Sequence, residues 1–197
     1  MDCIQMSLLA SASILLKGTH GTSKSRAETI VKEEKFQASA DGLLGAGAYF
    51  WAYDNDMSLA KRLALNWWRF AGGKNDAYKG DTDPSLAILK ADIEVDSNGY
   101  FDASSESFLE LLIKTAEQKK ILSTKDDFNK LRAVLVKEIE TVQGFNYEVV
   151  KAEVDVPGQI RGEAGAPYVY WAAKQAASYV VMPDALDVIC NIELVEV

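Results

Sequence analysis

Alternating hydrophobic and polar residues predict strands in several parts of the chain. The clearest stretch is 86–95, where every second residue is apolar and polar residues such as Lys90 and Asp92 lie between. A period of two is that of a strand with one buried face. Further strands are predicted at 11–18, at 177–184 and within 187–197, with an apolar-rich stretch at 145–156. Strands therefore dominate both ends of the chain.

Hydrophobic residues spaced three and four apart predict a helix at 22–34 and another at 56–70. In the first helix, Ser25 and Glu28 have the spacing of a capping box at the N-terminus. The second helix has one apolar face that we expect to be buried. The residues of that face are Leu59, Leu63, Trp67 and Phe70.

A glycine-rich segment, Asp41–Gly47, separates these two helices and reads DGLLGAG. Three glycines in seven residues predict a tight loop, where the backbone closely approaches another group or takes a positive φ. The loop leads directly into an aromatic-rich run, AYFW, which begins at Ala48.

Two amphipathic helices are predicted in the middle of the chain, at 105–117 and 125–142. They form a helical insertion over about residues 104–141. Neither an internal repeat nor a linker divides the sequence. The pattern predicts an α+β fold, in which one domain over residues 1–197 has a mostly antiparallel sheet with flanking helices.

The composition agrees with one domain that buries a sizeable core, because the chain has 197 residues and is 48% hydrophobic. A formal net charge of −8 disfavours nucleic acid as a partner, since a phosphate backbone would be repelled. A local basic groove remains an alternative, and its residues would be Lys61, Arg62, Arg69 and Lys74. The same cations equally fit a solvated helix face.

The two cysteines, Cys3 and Cys190, lie at opposite ends of the sequence and lack metal-ligand spacing. They indicate neither a disulfide framework nor a zinc site, and they favour a protein of the reducing cytoplasm. The apolar run 6–16 is too short to span a membrane and follows no Lys or Arg. We therefore expect a buried strand there, no membrane partner and no metal site.

The one histidine of the chain, His20, lies in a Thr-His-Gly-Thr run. Histidine is the side chain most easily used near neutral pH, but a histidine at a strand end can equally be satisfied by a backbone group. A Cys-His nucleophilic pair is not indicated, because neither cysteine has a suggestive local sequence. The sequence has no P-loop, G-x-G-x-x-G or G-x-S-x-G motif.

Several segments occur in a recognisable order: THGT at a strand end, a glycine loop leading to GAYF, GDTDPSLAILKADI, EVDVPGQ and finally SYVVMPD. In this order they resemble the poly(ADP-ribose) polymerase-like ADP-ribosyltransferases. That family has H-G-[ST] on its first strand, G-x-Y-F after a glycine loop, and a late E-Y-[IV]-V strand. The resemblance covers about Leu15 to Val197, interrupted by the helical insertion.

This resemblance implies a split, mostly antiparallel sheet of the ADP-ribosyltransferase type, with NAD as co-substrate. Breaking the bond between nicotinamide and ribose gives a sugar with oxocarbenium character, which the site must hold and stabilise. By resemblance, His20 orients a ribose hydroxyl and Thr22 lies on the adenosine side. The Gly21 backbone would bind the nicotinamide amide, and Tyr49 would stack on the nicotinamide ring.

Other polar and aromatic residues match the family less closely. Ser58 lies near the position of the family's nicotinamide-binding serine, but the spacing is shifted by about two residues. Where the family places a second stacking aromatic, this chain has SLAKR, so Trp67 or Trp68 would have to replace it. We expect Trp51 and Tyr53 to be packing residues.

The third motif departs from the family, because Ser178 stands where the polymerising members have glutamate. A serine carries no charge, so chain elongation is not expected and single transfer is the conservative inference. Members that lack this glutamate include single-transfer enzymes and inactive proteins. Glu163 in the RGEAGAP loop would be another source of a carboxylate, or else a solvated loop residue.

We therefore expect a mono-ADP-ribosyltransferase that moves ADP-ribose from NAD to a macromolecular acceptor, either protein or RNA or DNA. His20, Tyr49 and Ser178 are its expected catalytic group. A single-domain transferase also resembles toxins and phage-conflict effectors, and that interpretation adds an antitoxin or inhibitor protein as a partner. The alternative is a binding module that has lost catalysis and recognises NAD or ADP-ribose.

Overall fold

The structure is a computed structural model that describes residues 12–40, 42, 44–74, 76–120, 125–156 and 175–196. Seven strands and five helical segments are assigned within those residues. In chain order they are β1 (Ser13–Ser23), α1 (Lys24–Glu33), β2 (Ala48–Ala52), α2 (Ser58–Lys74), β3 (Leu86–Asp96), β4 (Tyr100–Asp102), α3 (Glu106–Gln118), α4 (Lys125–Gln143), β5 (Val149–Asp155), β6 (Gln175–Val181), a 3-10 helix (Pro183–Val188) and β7 (Ile189–Val195).

The seven strands form one sheet in the order β4-β5-β6-β2-β1-β3-β7. Every pair of neighbours is antiparallel except β4 and β5, which are parallel. The predicted α+β class with a mostly antiparallel sheet is therefore confirmed. Because β6, β2 and β1 are adjacent, the fold brings together three segments that are far apart in the sequence.

Two apolar clusters pack on opposite faces of this sheet. On what we call the α1 face, Ala27 of α1 packs with Phe50, Tyr179 and the alternate residues of β3. On what we call the α2 face, Leu63 of α2 packs with Trp51 and with residues of α3 and α4. Successive side chains of each strand point to opposite faces, so these clusters show which face a given residue occupies.

The strand predicted most clearly, at 86–95, is confirmed as β3. Its predicted core residues, Ala87, Leu89, Ala91, Ile93 and Val95, are all buried. The two predicted helices of the insertion are confirmed as α3 and α4, although Val142 at the end of α4 is 87% exposed. The short strand β4 and the 3-10 helix were not predicted, because three to six residues carry too little periodic pattern.

The start of α1 differs from the prediction. β1 continues to Ser23, so the Thr-His-Gly-Thr run lies within the strand and the helix begins at Lys24. The predicted capping box is wrong, because Ser25 lies inside the helix and its hydroxyl donates to the Asp83 carbonyl over 3.2 Å. The hydroxyl of Ser23 donates instead to the carboxylate of Asp81 over 2.5 Å. The loop before β3 therefore forms hydrogen bonds with both the end of β1 and the start of α1.

The buried face of α2 also differs from the prediction. Leu59 is 50% exposed and Trp67 is 38% exposed. The small residues Ala60 and Ala64 are fully buried instead, together with Leu63. The physical reason is the close approach of α2 to β1: a Cβ at Gly21 would lie 2.0 Å from the carbonyl oxygen of Ala64. Such an approach admits only small residues on the facing helix surface.

Some predictions fall outside the described residues. These include most of the apolar run 6–16, the loop at 157–167 with Glu163, and Cys3. Among the residues that the structure does describe, no helix is both long enough and apolar enough to cross a membrane.

Candidate functional site

The sheet opens between β1 and β2. These two strands pair at only two positions, Gly18 with Ala52 and Thr19 with Trp51. In contrast, β1 pairs with β3 along its whole length, and β2 pairs with β6 from Ala48 to Trp51. Beyond Thr19, β1 therefore pairs only with β3, and β2 pairs only with β6. We call the space between them the β1–β2 gap.

The backbone of Gly21 faces this gap. The N–H of Tyr53 donates to the carbonyl oxygen of Lys17 over 3.0 Å, so the backbone groups of Lys17 point toward β2. Alternate residues of an antiparallel strand point their N–H and C=O groups in the same direction. Thr19 and Gly21 consequently share this orientation, and the peptide groups of Gly21 point to the side on which β2 no longer pairs.

Gly21 also has a packing role. The residue is buried, and Ala64 of α2 lies directly against it. A side chain at this position would collide with the backbone of α2, so glycine is required for packing alone. The glycine predicted from the THGT motif thus has a structural explanation beside the functional one.

His20 lies at the point where the two strands separate. Its Nδ1 lies 2.9 Å from the main-chain carbonyl oxygen of Tyr49. Because a carbonyl oxygen only accepts, Nδ1 carries the hydrogen, and Nε2 of the neutral ring is left as an acceptor. Burial lowers the pKa of His20 below its ordinary value of 6.5, and the hydrogen bond to Tyr49 opposes this shift only in part. The imidazole is therefore neutral at pH 7.

Two phenylalanine rings enclose the imidazole of His20 on the α1 face. Phe36 meets it edge-on at 5.3 Å between ring centroids, and Phe50 lies at 5.9 Å. Phe36 comes from the segment between α1 and the glycine loop and is 2% exposed. We did not predict a role for Phe36, and its only signal was an isolated aromatic residue in the polar run KEEKFQAS.

Tyr49 lies on the opposite face of the sheet and is held by the glycine loop. Its hydroxyl donates to the carbonyl oxygen of Gly45 over 2.7 Å and accepts from the N–H of Leu44 over 3.1 Å. A Cβ at Gly42 would lie 2.2 Å from this hydroxyl, and Gly45 has a φ of +99°. The predicted loop with close approach and positive φ is confirmed at these two glycines.

The rings of His20 and Tyr49 thus point to different faces of the sheet. His20 contacts the α1-face residues Phe36 and Phe50, whereas Tyr49 packs against the α2-face cluster. The hydrogen bond from His20 Nδ1 to the Tyr49 carbonyl oxygen joins the two strands between these rings.

Ser178 occupies the strand on the other side of β2. It pairs with Trp51 on β2 and with Ala152 on β5, and neither partner is acidic. Its hydroxyl donates to the carbonyl oxygen of Phe50 over 2.9 Å, and the residue is 3% exposed. Its neighbour Val180 belongs to the α2 face, so Ser178 does too. In this structure Ser178 has a structural hydrogen bond and does not share a face with His20.

Thr22 and Ser58 both have protein partners. Thr22 is buried and its side chain is hydrogen-bonded to Tyr78. Ser58 begins α2, where its N–H and its hydroxyl donate to the carboxylate of Asp56 over 2.9 and 2.6 Å. These two hydrogen bonds hold the pKa of Asp56 below its usual value. Ser58 therefore helps to begin a helix.

The predicted aromatic residues of α2 and β2 have separate surroundings. Trp67 packs beside Phe70 with ring centroids 5.8 Å apart. The indole of Trp68 donates to the carbonyl oxygen of Pro84 over 3.1 Å. Trp51 is buried in the α2-face cluster, so its predicted packing role is confirmed. None of these contacts joins a tryptophan to the imidazole of His20.

The loop before β3 contributes Asp81, whose role was not predicted. Its carboxylate accepts the Ser23 hydroxyl and forms an ion pair with Arg26 Nε over 2.8 Å. Burial raises the pKa of Asp81, but the hydrogen bonds from Ser23 and Arg26 outweigh it and the pKa falls below its usual value. The network fixes the end of β1 two residues beyond Gly21.

A cavity of about 920 Å³ lies elsewhere, between the glycine loop, α4 and the 3-10 helix. Leu44 and Gly45, which hold the Tyr49 hydroxyl, line it, but His20 and Gly21 do not. No residue of β1 or β2 lines the cavity, so it is separate from the β1–β2 gap.

No group of three or more His, Cys, Asp or Glu side chains within the described ranges is arranged to hold a metal ion. Comparisons of the chain with protein-family models, with curated proteins and with solved structures found no match.

Proposed function

We propose that the protein is an ADP-ribosyltransferase that moves one ADP-ribose unit from NAD to a macromolecular acceptor, with NAD bound through the β1–β2 gap. The observation that carries the proposal is the meeting of the motifs at the gap. His20 and Gly21 on β1 border it from one side, and Tyr49 on β2 borders it from the other. These segments are separate in sequence.

The chemical groups at the gap suit the two halves of NAD. A primary amide such as that of nicotinamide donates and accepts, and the peptide groups of Gly21 offer the matching acceptor and donor. The Tyr49 ring offers a stacking surface on the α2 face. Nε2 of neutral His20 accepts a hydrogen bond from a ribose hydroxyl on the α1 face.

The proposed reaction is a substitution at the anomeric carbon of the ribose attached to nicotinamide. The C–N bond breaks and nicotinamide leaves as a neutral molecule with the bonding electron pair. The acceptor nucleophile forms a new bond to the anomeric carbon and loses its proton to solvent. Because Ser178 supplies no carboxylate, the product receives a single unit and no chain is extended.

A second candidate function is a binding module that holds NAD or ADP-ribose without turnover. One observation favours it: Ser178 is buried with its hydroxyl bound to the Phe50 carbonyl, so the third motif supplies no group for catalysis. Both interpretations use the same gap and the same His20, but only the first cleaves the glycosidic bond.

The test is to incubate the purified protein with NAD labelled in its adenylate half, in separate pools of cellular protein, RNA and DNA. Transfer predicts label in one pool and release of an equal amount of nicotinamide. Nicotinamide released without labelled acceptor would contradict transfer and indicate hydrolysis. Neither product from a folded sample that binds NAD would support the binding module.

A further inference from the structure

The cavity of about 920 Å³ between the glycine loop, α4 and the 3-10 helix has apolar walls. Leu44 of the loop, Val136 of α4 and Val150 of β5 line it, and all three are buried. Val134 of α4 also lines it and is 47% exposed, so the apolar surface continues to solvent. The volume is near the upper end of the range of about 300–1,000 Å³ for ligand pockets, which leaves room for several side chains of a partner.

The same cavity is lined by carboxylates from three separate segments: Glu138, Glu148, Asp184 and Asp187. Among its described lining residues, Lys137 is the one base, and its Nζ lies 2.7 Å from a carboxylate oxygen of Glu140. None of the four lining carboxylates forms an ion pair with another described residue. The described lining therefore carries an uncompensated negative charge, and we call the cavity the acidic groove.

The chemistry of the acidic groove disfavours several kinds of ligand. Its carboxylates are not arranged to hold a metal ion, as is true of every group of three His, Cys, Asp or Glu side chains within the described ranges. A nucleic acid or an anionic membrane would be repelled, because both present phosphate groups. A molecule with both cationic and apolar groups, in contrast, can neutralise the acids and cover the apolar walls at once.

We propose that the acidic groove is the docking site for a basic, amphipathic segment of another protein. Lys or Arg side chains of that segment pair with the four carboxylates, and its apolar side chains pack against the walls beside Val134. In helix-in-groove recognition, apolar anchors supply affinity, and complementary charges set the orientation and the choice of partner. A cleft lined by one sign of charge also raises the local concentration of oppositely charged partners. The acidic groove is separate from the β1–β2 gap, so the proposal does not depend on NAD binding.

The probe for this site is a fluorescent helical peptide of about twelve residues, with leucine on one face and lysine on the other. Fluorescence anisotropy with the full chain should show saturable binding that weakens as the salt concentration rises. Two further peptides identify what is recognised: in one, serine replaces leucine, and in the other, glutamate replaces lysine. Each lacks one of the two interactions and should bind about tenfold more weakly or worse.

Charge variants of the protein localise the binding. Asp184→Asn combined with Asp187→Asn removes two negative charges from the acidic groove and should weaken binding about tenfold. Glu28→Gln combined with Glu33→Gln is the matched control and should bind as wild type does. Both of these glutamates are exposed on α1, on the other face of the sheet. The control has the same net charge as the groove variant, so a difference between them is not an effect of overall charge.

A second pair of variants tests the apolar walls. Val134→Gln should weaken binding of the peptide about fivefold, because it replaces an apolar lining residue. Val142→Gln is its control, since Val142 lies on the same helix, is 87% exposed and does not line the acidic groove. The melting temperature of every variant is measured to show that it is folded.

The proposal is overturned if folded wild-type protein does not bind the leucine–lysine peptide, or if the serine peptide binds equally well. It is also overturned if either groove variant binds as its control does. Spermine that binds as tightly as the peptide, with the same dependence on Asp184 and Asp187, would overturn it in favour of a small polyamine. Because NAD is absent from these titrations, such a failure leaves the proposed function untouched.

Discussion

The imidazole of His20 donates a hydrogen bond from Nδ1 to the main-chain carbonyl oxygen of Tyr49, 2.9 Å away. This bond joins β1 and β2 just beyond their last paired residues, Thr19 and Trp51. It fixes the tautomer of the ring and leaves Nε2 as an acceptor. The backbone contact that would satisfy an ordinary strand-end histidine therefore also fixes which ring nitrogen can accept a hydrogen bond.

Replacing Gly21 tests the packing of α2 against β1. Gly21→Ala should destabilise the fold by about 1–3 kcal/mol, because the new Cβ would meet the Ala64 carbonyl at 2.0 Å. Gly73→Ala is the control: no atom lies within 4 Å of its added Cβ, and the change in a helix should stabilise by about 0.5–1 kcal/mol. Urea unfolding of both variants measures the two effects, and equal stabilities would refute the close approach.

Two variants of Tyr49 separate its ring from its hydroxyl. Tyr49→Phe leaves Leu44 N–H and Gly45 C=O without their partner and should cost about 1–3 kcal/mol of stability. It keeps the ring, so NAD affinity should change little. Tyr49→Ala removes the stacking surface and should weaken NAD binding by about tenfold or more. Equal NAD affinity in the two variants would exclude stacking by this ring.

The stability of the protein should fall on mild acidification because of His20. Its pKa is lowered in the folded state by burial, so below the ordinary value of 6.5 the unfolded chain binds the extra proton first. The stabilising contribution is complete above that value and is lost as the pH falls toward the folded pKa. Urea unfolding at about pH 7.5 and about pH 5.5 measures the loss, in a range above most carboxyl titrations.

His20→Asn is the matched variant for this pH experiment. Its side-chain amide can still donate toward the Tyr49 carbonyl, but it does not titrate in this range. The variant should therefore lose less stability than wild type between the two pH values. An identical loss in both proteins would assign the pH dependence to other groups.

Some of this architecture was accessible from the sequence. The strict alternation of β3 predicted its buried residues and its bounds to within one residue, because one face of a strand repeats every second residue. The burial of α2 was not predicted correctly, since hydrophobic size alone favoured Leu59 and Trp67 over Ala60 and Ala64. The close approach that reverses this order depends on Gly21, more than thirty residues earlier.

The sequence predicted candidate site residues, but it did not predict how they are arranged. The order of the motifs indicated His20, Gly21 and Tyr49, and the structure places all three beside the β1–β2 gap. The gap itself depends on where two strands cease to pair, which no local pattern encodes. The burial of Ser178 follows from the pairing of β2 with β6. That register sets the face of the sheet on which Ser178 lies and its hydrogen bond to the Phe50 carbonyl.

Ser178→Ala tests whether this serine is structural. The loss of its hydrogen bond to the Phe50 carbonyl should cost about 1 kcal/mol, while NAD affinity and turnover should stay unchanged. Ser13→Ala is a suitable comparison, because it removes an exposed hydrogen bond to Glu94 and should change stability little. A large loss of turnover in Ser178→Ala at unchanged stability would instead place its hydroxyl at the reacting ribose.

Calorimetric titration of NAD into the folded protein tests whether NAD binds at the β1–β2 gap. The wild-type protein should bind NAD, and His20→Asn should weaken binding by about tenfold or more, because it removes the Nε2 acceptor. Cys190→Ser on the edge strand β7 is the control and should bind as wild type does. Absence of binding to folded wild-type protein, or equal affinity in wild type and His20→Asn, would contradict NAD binding at His20.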